Sequence, residues 1–253
     1  MTARRLSSVA ELHVLAAPDP YAMQVGDSVI AAWAGDDGAV GWLVPSHRFR
    51  GSGHLAVLGE PPDAVSLLVD VLAQTEGTEM VVGSASLPRT APALLPEHLA
   101  MERVNDWEWF ATSTLPPVQP HEDRVQWLAE ADSEDITALL RAHSGRHDAE
   151  PGQEHARGWC GVRDDGGRLV AVAAHTEIWA GVPFLASVAT VSEVRGQGLG
   201  SAVTGWITRQ LLANGYDRVT LGMYSDNDVA RRIYQRLGYT CWHEFSSGRL
   251  VRR

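Results

Sequence analysis

A glycine-rich run, Arg195-Gly196-Gln197-Gly198-Leu199-Gly200-Ser201, follows the apolar stretch Phe184–Val191. After it, Val203, Trp206, Ile207 and Leu211 recur at helical spacing. Glycine lets a backbone approach a ligand closely. The first turn of a helix offers N–H groups without intrahelical partners, at the positive end of the dipole. Together these features suit a phosphate or pyrophosphate, and Arg195 adds a positive charge. A tight strand-to-helix turn that binds nothing is the structural alternative. All 21 basic residues are arginine, so the Gly-Lys-Ser/Thr of a P-loop and a lysine Schiff base are both absent. A dinucleotide fingerprint also fails: counted from Gly196 its third glycine falls on Ser201, and counted from Gly198 it falls on Val203.

The elements around this run can be read from turn chemistry and periodicity. Thr112–Asp123 holds three prolines and reads as a linker. Asp132 or Ser133 can then cap a helix carrying Ile136, Leu139 and Leu140 on one face. Residues 143–157 are polar, with Gly145, Pro151 and Gly152, and read as loop or broken helix. A hairpin follows, with strands Trp159–Arg163 and Leu169–Trp179 about the turn Asp164-Asp165-Gly166-Gly167. Beyond the glycine run, a helix extends to about Ala213 and stops at Asn214-Gly215. Arg218–Tyr224 is a strand, Asp226–Leu237 a helix and Tyr239–Phe245 a last strand. The first half repeats this order in worn form: strands at Val29–Trp33, Val40–Val44 and Leu55–Leu58, a helix over Asp63–Ala73, and strands at Glu79–Ser84 and Trp107–Phe110. Where the second half has its glycine run, the first has Gly59-Glu60-Pro61-Pro62-Asp63, a poor cradle for an anion.

A second constellation follows the strand at 218–224: Asn227, Ala230, Ile233, Tyr234, Gly238 and Tyr239. With Arg195, Gly198 and Gly200 it resembles the two signatures of the GNAT superfamily of acyl-CoA-dependent N-acetyltransferases, R/Q-x-x-G-x-G/A and N-x-x-A-x-x-ϕ-Y-x-x-x-G-F/Y. The resemblance covers roughly residues 123–245. It implies an α/β (α+β) GNAT fold, with a mixed, mostly antiparallel central sheet flanked by helices. The expected layout is two tandem GNAT-like domains: a degenerate one at 1–115, a linker at 116–123 and a catalytic one at 124–253.

By the same resemblance, the strand backbone at Val188, Ala189 and Thr190 pairs with the pantetheine arm of acetyl-CoA, the co-substrate. Arg195, Gly196, Gln197, Gly198, Leu199, Gly200 and Ser201 wrap its pyrophosphate, and Asn227 bonds the pantetheine region. Tyr234 protonates the departing thiolate; packing is its alternative role. The reaction implied is direct attack of a primary amine on the thioester, with a main-chain N–H near Thr190 holding the oxyanion. Some N-terminal acetyltransferases of the family carry a glutamate base where this chain has Gly222. An ammonium must still lose a proton. Candidates are Glu177 first, then His175 on the same strand face, Glu193, Asp148 and His147. A catalytically silent acyl-CoA-binding or sensor module is the alternative function.

His143, His147 and His155 with Asp148 hint at metal spacing, but Gly145 between the first two and the lack of a cysteine cluster argue against zinc, and no metal is expected. Trp107, Trp109, Trp159 and Trp179 either line an acceptor pocket or belong to cores. Cys160 and Cys241 are too few for a disulfide framework and point to a cytoplasmic protein with reduced, inert thiols. The net charge of -10 argues against non-specific nucleic-acid binding. No apolar run approaches the roughly 18 residues of a membrane span, so no membrane is expected. The acceptor is expected to be a small-molecule or peptide amine, and the reading leaves room for a homodimer.

Overall fold

The computed structural model describes residues 3–26, 28–46, 51–179 and 181–253. In chain order the elements are β1 (Arg4–Arg5), α1 (Val9–Ala16), α2 (Pro20–Met23), β2 (Ala31–Ala34), β3 (Val40–Pro45), β4 (Gly53–Leu58), α3 (Pro61–Thr75), β5 (Val82–Pro88) and β6 (Leu99–Thr112). There follow β7 (Gln126–Leu128), α4 (Ser133–His143), β8 (Ala156–Arg163), β9 (Leu169–Trp179), β10 (Val182–Thr190), α5 (Leu199–Ala213), β11 (Val219–Tyr224), α6 (Asp228–Arg236) and β12 (Thr240–Arg252). The chain forms two compact units: Met1–Trp109 with Tyr224–Asp226 and Trp242–Arg253, and Phe110–Met223 with Asn227–Cys241.

In the first unit the strands run β1-β2-β3-β4-β5-β12-β6. β2–β3 and β3–β4 are antiparallel, and β4–β5 is parallel, with α3 as the crossover. Leu55, Val57, Ala85 and Leu87 form a core with Ala64, Leu67, Leu68 and Val71 of α3. The three- and four-residue spacing of those α3 residues puts them on one helical face. α3 begins with Pro61-Pro62, which have no N–H, so its mouth lacks two of the donors an anion would need.

In the second unit the order is β11-β10-β9-β8-β7. β7–β8, β8–β9 and β9–β10 are antiparallel, and β10–β11 is parallel across α5. Ala171, Val172, Ala173, Ala174 and Leu185 form the core with Ala202, Val203, Ile207 and Leu211 of α5 and Ile136, Leu139 and Leu140 of α4. The β8–β9 hairpin closes as its residues require. Asp164 Oδ1 accepts from the N–H of Gly166 and Arg168, and Gly167 sits at φ 84°.

The proline-rich segment at 116–123 is fastened to α5. Glu122 is buried; its Oε1 accepts from the Gln119 N–H at 2.8 Å and its Oε2 pairs with Arg209. Arg209 also donates to Pro116 O at 3.2 Å. This approach requires Gly205, where a Cβ would stand 2.9 Å from Glu122 Oε1. The strands read at Trp107–Phe110 and Tyr239–Phe245 are longer than the periodicity suggested. β6 covers 14 residues rather than four, and β12 extends to Arg252.

Candidate active site

β10 carries the first half of the site. Its pairing with β11 is confined to Phe184–Thr220 and Leu185–Leu221. On the other side, the pairs Ala186–Ala174 and Ala189–Val172 leave Ser187 and Val188 both facing Ala173. This is a β-bulge with one extra residue on β10, and Ser187 takes a left-handed φ of 51°. Beyond the bulge, the Val191 N–H bonds Val170 O on β9. Strand groups alternate in direction, so Ala189 turns to β9 as Val191 does, and Thr190 turns its main-chain N–H and C=O away from β9. Within the β10 stretch Val188–Thr190 named from the sequence, the Thr190 N–H is therefore turned away from β9, whereas the Thr190 carbonyl accepts from Arg195 Nε.

The second half is the turn into α5. Gly196 and Gly198 both lie at positive φ, 80° and 84°, as only glycine readily does. Among the described residues, none accepts a hydrogen bond from the main-chain N–H of Gly196, Gln197, Gly198, Leu199, Gly200 or Ser201. Gly196, Gln197 and Gly198 are exposed. Six consecutive free donors at a helix mouth fit a pyrophosphate. Arg195 is engaged with its own protein: Nε donates to Thr190 O at 3.1 Å and Nη2 to His143 O at 2.8 Å. It braces the turn against β10 and the end of α4, and its charge stays beside the turn.

Asn227 is the N-cap of α6, its Oδ1 accepting from the Ala230 N–H at 3.1 Å. Tyr234 lies on α6 with its ring 6.2 Å from that of Phe110. It is 7% exposed, and burial pushes its phenol up to about 12, so it keeps its proton at neutral pH.

Glu177 and His175 share a face of β9, as alternation requires. His175 Nε2 is 3.5 Å from Glu177 Oε1. Tyr216, which the sequence reading did not single out, donates to Glu177 Oε1 at 2.5 Å, and Arg157 Nε lies 3.4 Å from Oε2. Burial raises the Glu177 carboxyl, but Tyr216, His175 and Arg157 outweigh it, and the group titrates below the usual carboxylate range. Burial lowers His175, so its imidazole is neutral at pH 7. His175 pairs with Leu185, two residues before the bulge.

The remaining candidates are placed as follows. His143 is the last residue of α4, and its Nδ1 lies 3.1 Å from Ser192 Oγ. His147 contacts Ser144 O at 2.6 Å and Glu150 Oε1 at 3.0 Å, and its pKa is raised by these partners. Glu193 is exposed. Trp109 and Trp159 are buried; Trp107 packs against Phe245 and Tyr21 in the first unit. Cys160 is buried, its thiol pushed up by desolvation. Among the described residues, no three His, Cys, Asp or Glu side chains are placed to hold a metal, and no helix is long and apolar enough to cross a membrane.

The model of the acetyltransferase (GNAT) family matches residues 101–239, more than half of the chain. The chain belongs to the GNAT acetyltransferase family. It is accordingly an acyltransferase enzyme of the N-acetyltransferase type, and the family draws its acyl group from acyl-CoA, usually acetyl-CoA. The fold is shared with a GNAT-family protein from Novosphingobium aromaticivorans, at 22% identity and a TM-score of 0.52 over 78% of this chain and 84% of that one. A GCN5-related N-acetyltransferase from Kribbella flavida gives 23% and 0.51 over 83% and 86%. One from Sphaerobacter thermophilus gives 16% and 0.60 over 90% and 81%. Comparison with curated proteins gives no match.

Proposed function

We propose that this enzyme transfers an acetyl group from acetyl-CoA to a primary amine by direct attack on the thioester. The observation that carries this reading is the run of six main-chain N–H groups from Gly196 to Ser201, at the mouth of α5, that find no acceptor among the described residues. In this reading they hold the pyrophosphate, and the pantetheine arm lies along Val188–Thr190 as an added strand. Asn227 bonds the arm through the part of its amide that does not cap α6. The Thr190 N–H faces the developing oxyanion.

The ammonium proton leaves through the His175–Glu177 pair. The neutral imidazole accepts it, and the carboxylate, anchored by Tyr216 and Arg157, stabilises the imidazolium. Tyr234 donates its phenolic proton to the departing thiolate. A thiol of pKa about 8.5 is already a tolerable leaving group, so this donation contributes modestly. The first unit shares the antiparallel, antiparallel, parallel strand succession across a crossover helix. We read residues 1–115 as a degenerate copy, followed by a connecting segment at 116–123 and the catalytic domain at 124–253. A cytoplasmic location and a small-molecule or peptide acceptor complete the proposal.

The test is incubation with isotope-labelled acetyl-CoA and a panel of primary amines, followed by thiol release and mass spectrometry. Amine-dependent release of CoA with label on the amine is expected. Saturable CoA binding with no turnover of any amine would instead favour a silent sensor.

A further inference from the structure

The bulge on β10 is built around a residue unsuited to its backbone. Ser187 holds φ 51°, a left-handed conformation that is strained for a non-glycine residue. Such strain persists where the surroundings over-determine it. Here the surroundings are specific. Ser187 Oγ accepts from the Ala149 N–H at 2.9 Å and donates to Ala149 O at 2.9 Å. One side chain thus satisfies both main-chain groups of a residue that is only 1% exposed.

Ala149 belongs to the irregular segment after α4, and that segment is tied down again at its start. The His143 carbonyl accepts from Arg195, and the His143 ring meets Ser192. The segment from 144 to 150 is therefore stretched between two anchors, the glycine turn and the bulge. It also carries the His147–Glu150 pair, 3.0 Å apart, with Glu150 next after the Ala149 anchor.

We propose that Ser187 is a positioning residue of the transfer: its hydroxyl fastens the 144–150 segment to the point where β10 parts from β11, and so makes that segment the acceptor-side wall of the reaction centre. The proposal rests on the reading that the acyl group lies along Val188–Thr190. A glycine at 187 would suit the bulge better by itself. Serine is explained by the anchor, which glycine cannot supply.

The test compares wild type with Ser187→Gly, which relieves the backbone strain while removing the anchor, and Ser187→Ala, which removes the anchor alone. The main-chain exchange of Ala149, followed by NMR in the free protein, should accelerate about tenfold in both variants, because both lose the hydroxyl that accepts from its N–H. Acetyl-CoA affinity by calorimetry should stay within about threefold for Ser187→Gly. Steady-state rates are read with the best-used member of a panel of spermidine, lysine, phenylethylamine and an alanine-initiated tetrapeptide. The amine KM should rise about tenfold while the acetyl-CoA KM holds.

Unchanged Ala149 exchange in both variants would overturn the proposal, as would a parallel rise of both KM values, the mark of general disruption. If no panel amine turns over, the exchange comparison decides alone. Failure of wild type to bind acetyl-CoA would strike the functional reading, whereas Ala149 exchange in the free protein still judges the anchor.

Discussion

Substituting Gly198 by alanine perturbs the proposed pyrophosphate cradle through a cost whose size is bounded. Gly198 lies at φ 84°, and a Cβ built there meets nothing within 4 Å, so no clash enters in the free protein. What remains is the conformational cost of a left-handed alanine, roughly 1–2 kcal/mol. The exposed turn has two responses. It can keep its shape, and then folding stability falls by that amount while affinity for acetyl-CoA is preserved. Or it can relax to negative φ, which scatters the donors, and then the bound state must restore the turn at the same cost. The loss of affinity therefore cannot exceed the strain, unless the new methyl touches the ligand. The sum of the two losses should be about 1–2 kcal/mol, which as affinity alone is roughly 5- to 30-fold. Calorimetry with acetyl-CoA and denaturant unfolding of the same variant measure both parts. Unchanged affinity together with unchanged stability would refute the reasoning.

Tyr234→Phe should lower kcat about tenfold with little change in either KM, because the buried phenol stays protonated and assists a leaving group that needs little help; an unaltered rate removes the acid role. Glu122→Ala leaves Arg209 beside α5 without its partner. Because Arg209 keeps 21% of its side-chain surface exposed, a loss of about 2 kcal/mol in denaturant unfolding is expected, below the usual range for a broken buried pair. His147 has a folded pKa above its ordinary value, so its stabilising contribution is full below the unfolded pKa and fades as pH rises through the folded one. The stability gap between wild type and His147→Gln should accordingly narrow from pH 5.5 to pH 8.5, and a gap that widens would contradict the assignment.

The parts of the second unit readable from sequence are those governed by local chemistry. The hairpin about Asp164–Gly167 announces itself by turn residues with one geometry to satisfy. Helix α5 is bounded by glycine and by Asn214-Gly215, and both ends fall at the expected residues. The glycine turn was legible because its proposed function and its backbone geometry demand the same residue. Long-range features were not legible. Ser187 occupies a position where glycine would have signalled a bulge, and its partner Ala149 carries no marker of its own. Tyr216 reads as an ordinary aromatic after a helix stop, and only folding brings its hydroxyl to Glu177. Glu122 lies in a proline-rich stretch whose composition suggests a free linker, yet Arg209, 87 positions away, holds it against α5. β6 was underestimated because Glu102, Arg103, Asn105 and Asp106 break its alternation of apolar and polar residues. Arg195 was expected to contribute charge, and its bonds to Thr190 O and His143 O show a brace as well.

The most direct test of the central claim is a titration of the isotope-labelled protein with acetyl-CoA, following the main-chain amide resonances of Gly196 to Ser201. Large, saturable shifts of these six, with slowed hydrogen exchange at the same positions, are the expected result. Saturating acetyl-CoA that leaves all six unmoved would contradict the account, whatever else in the molecule responded.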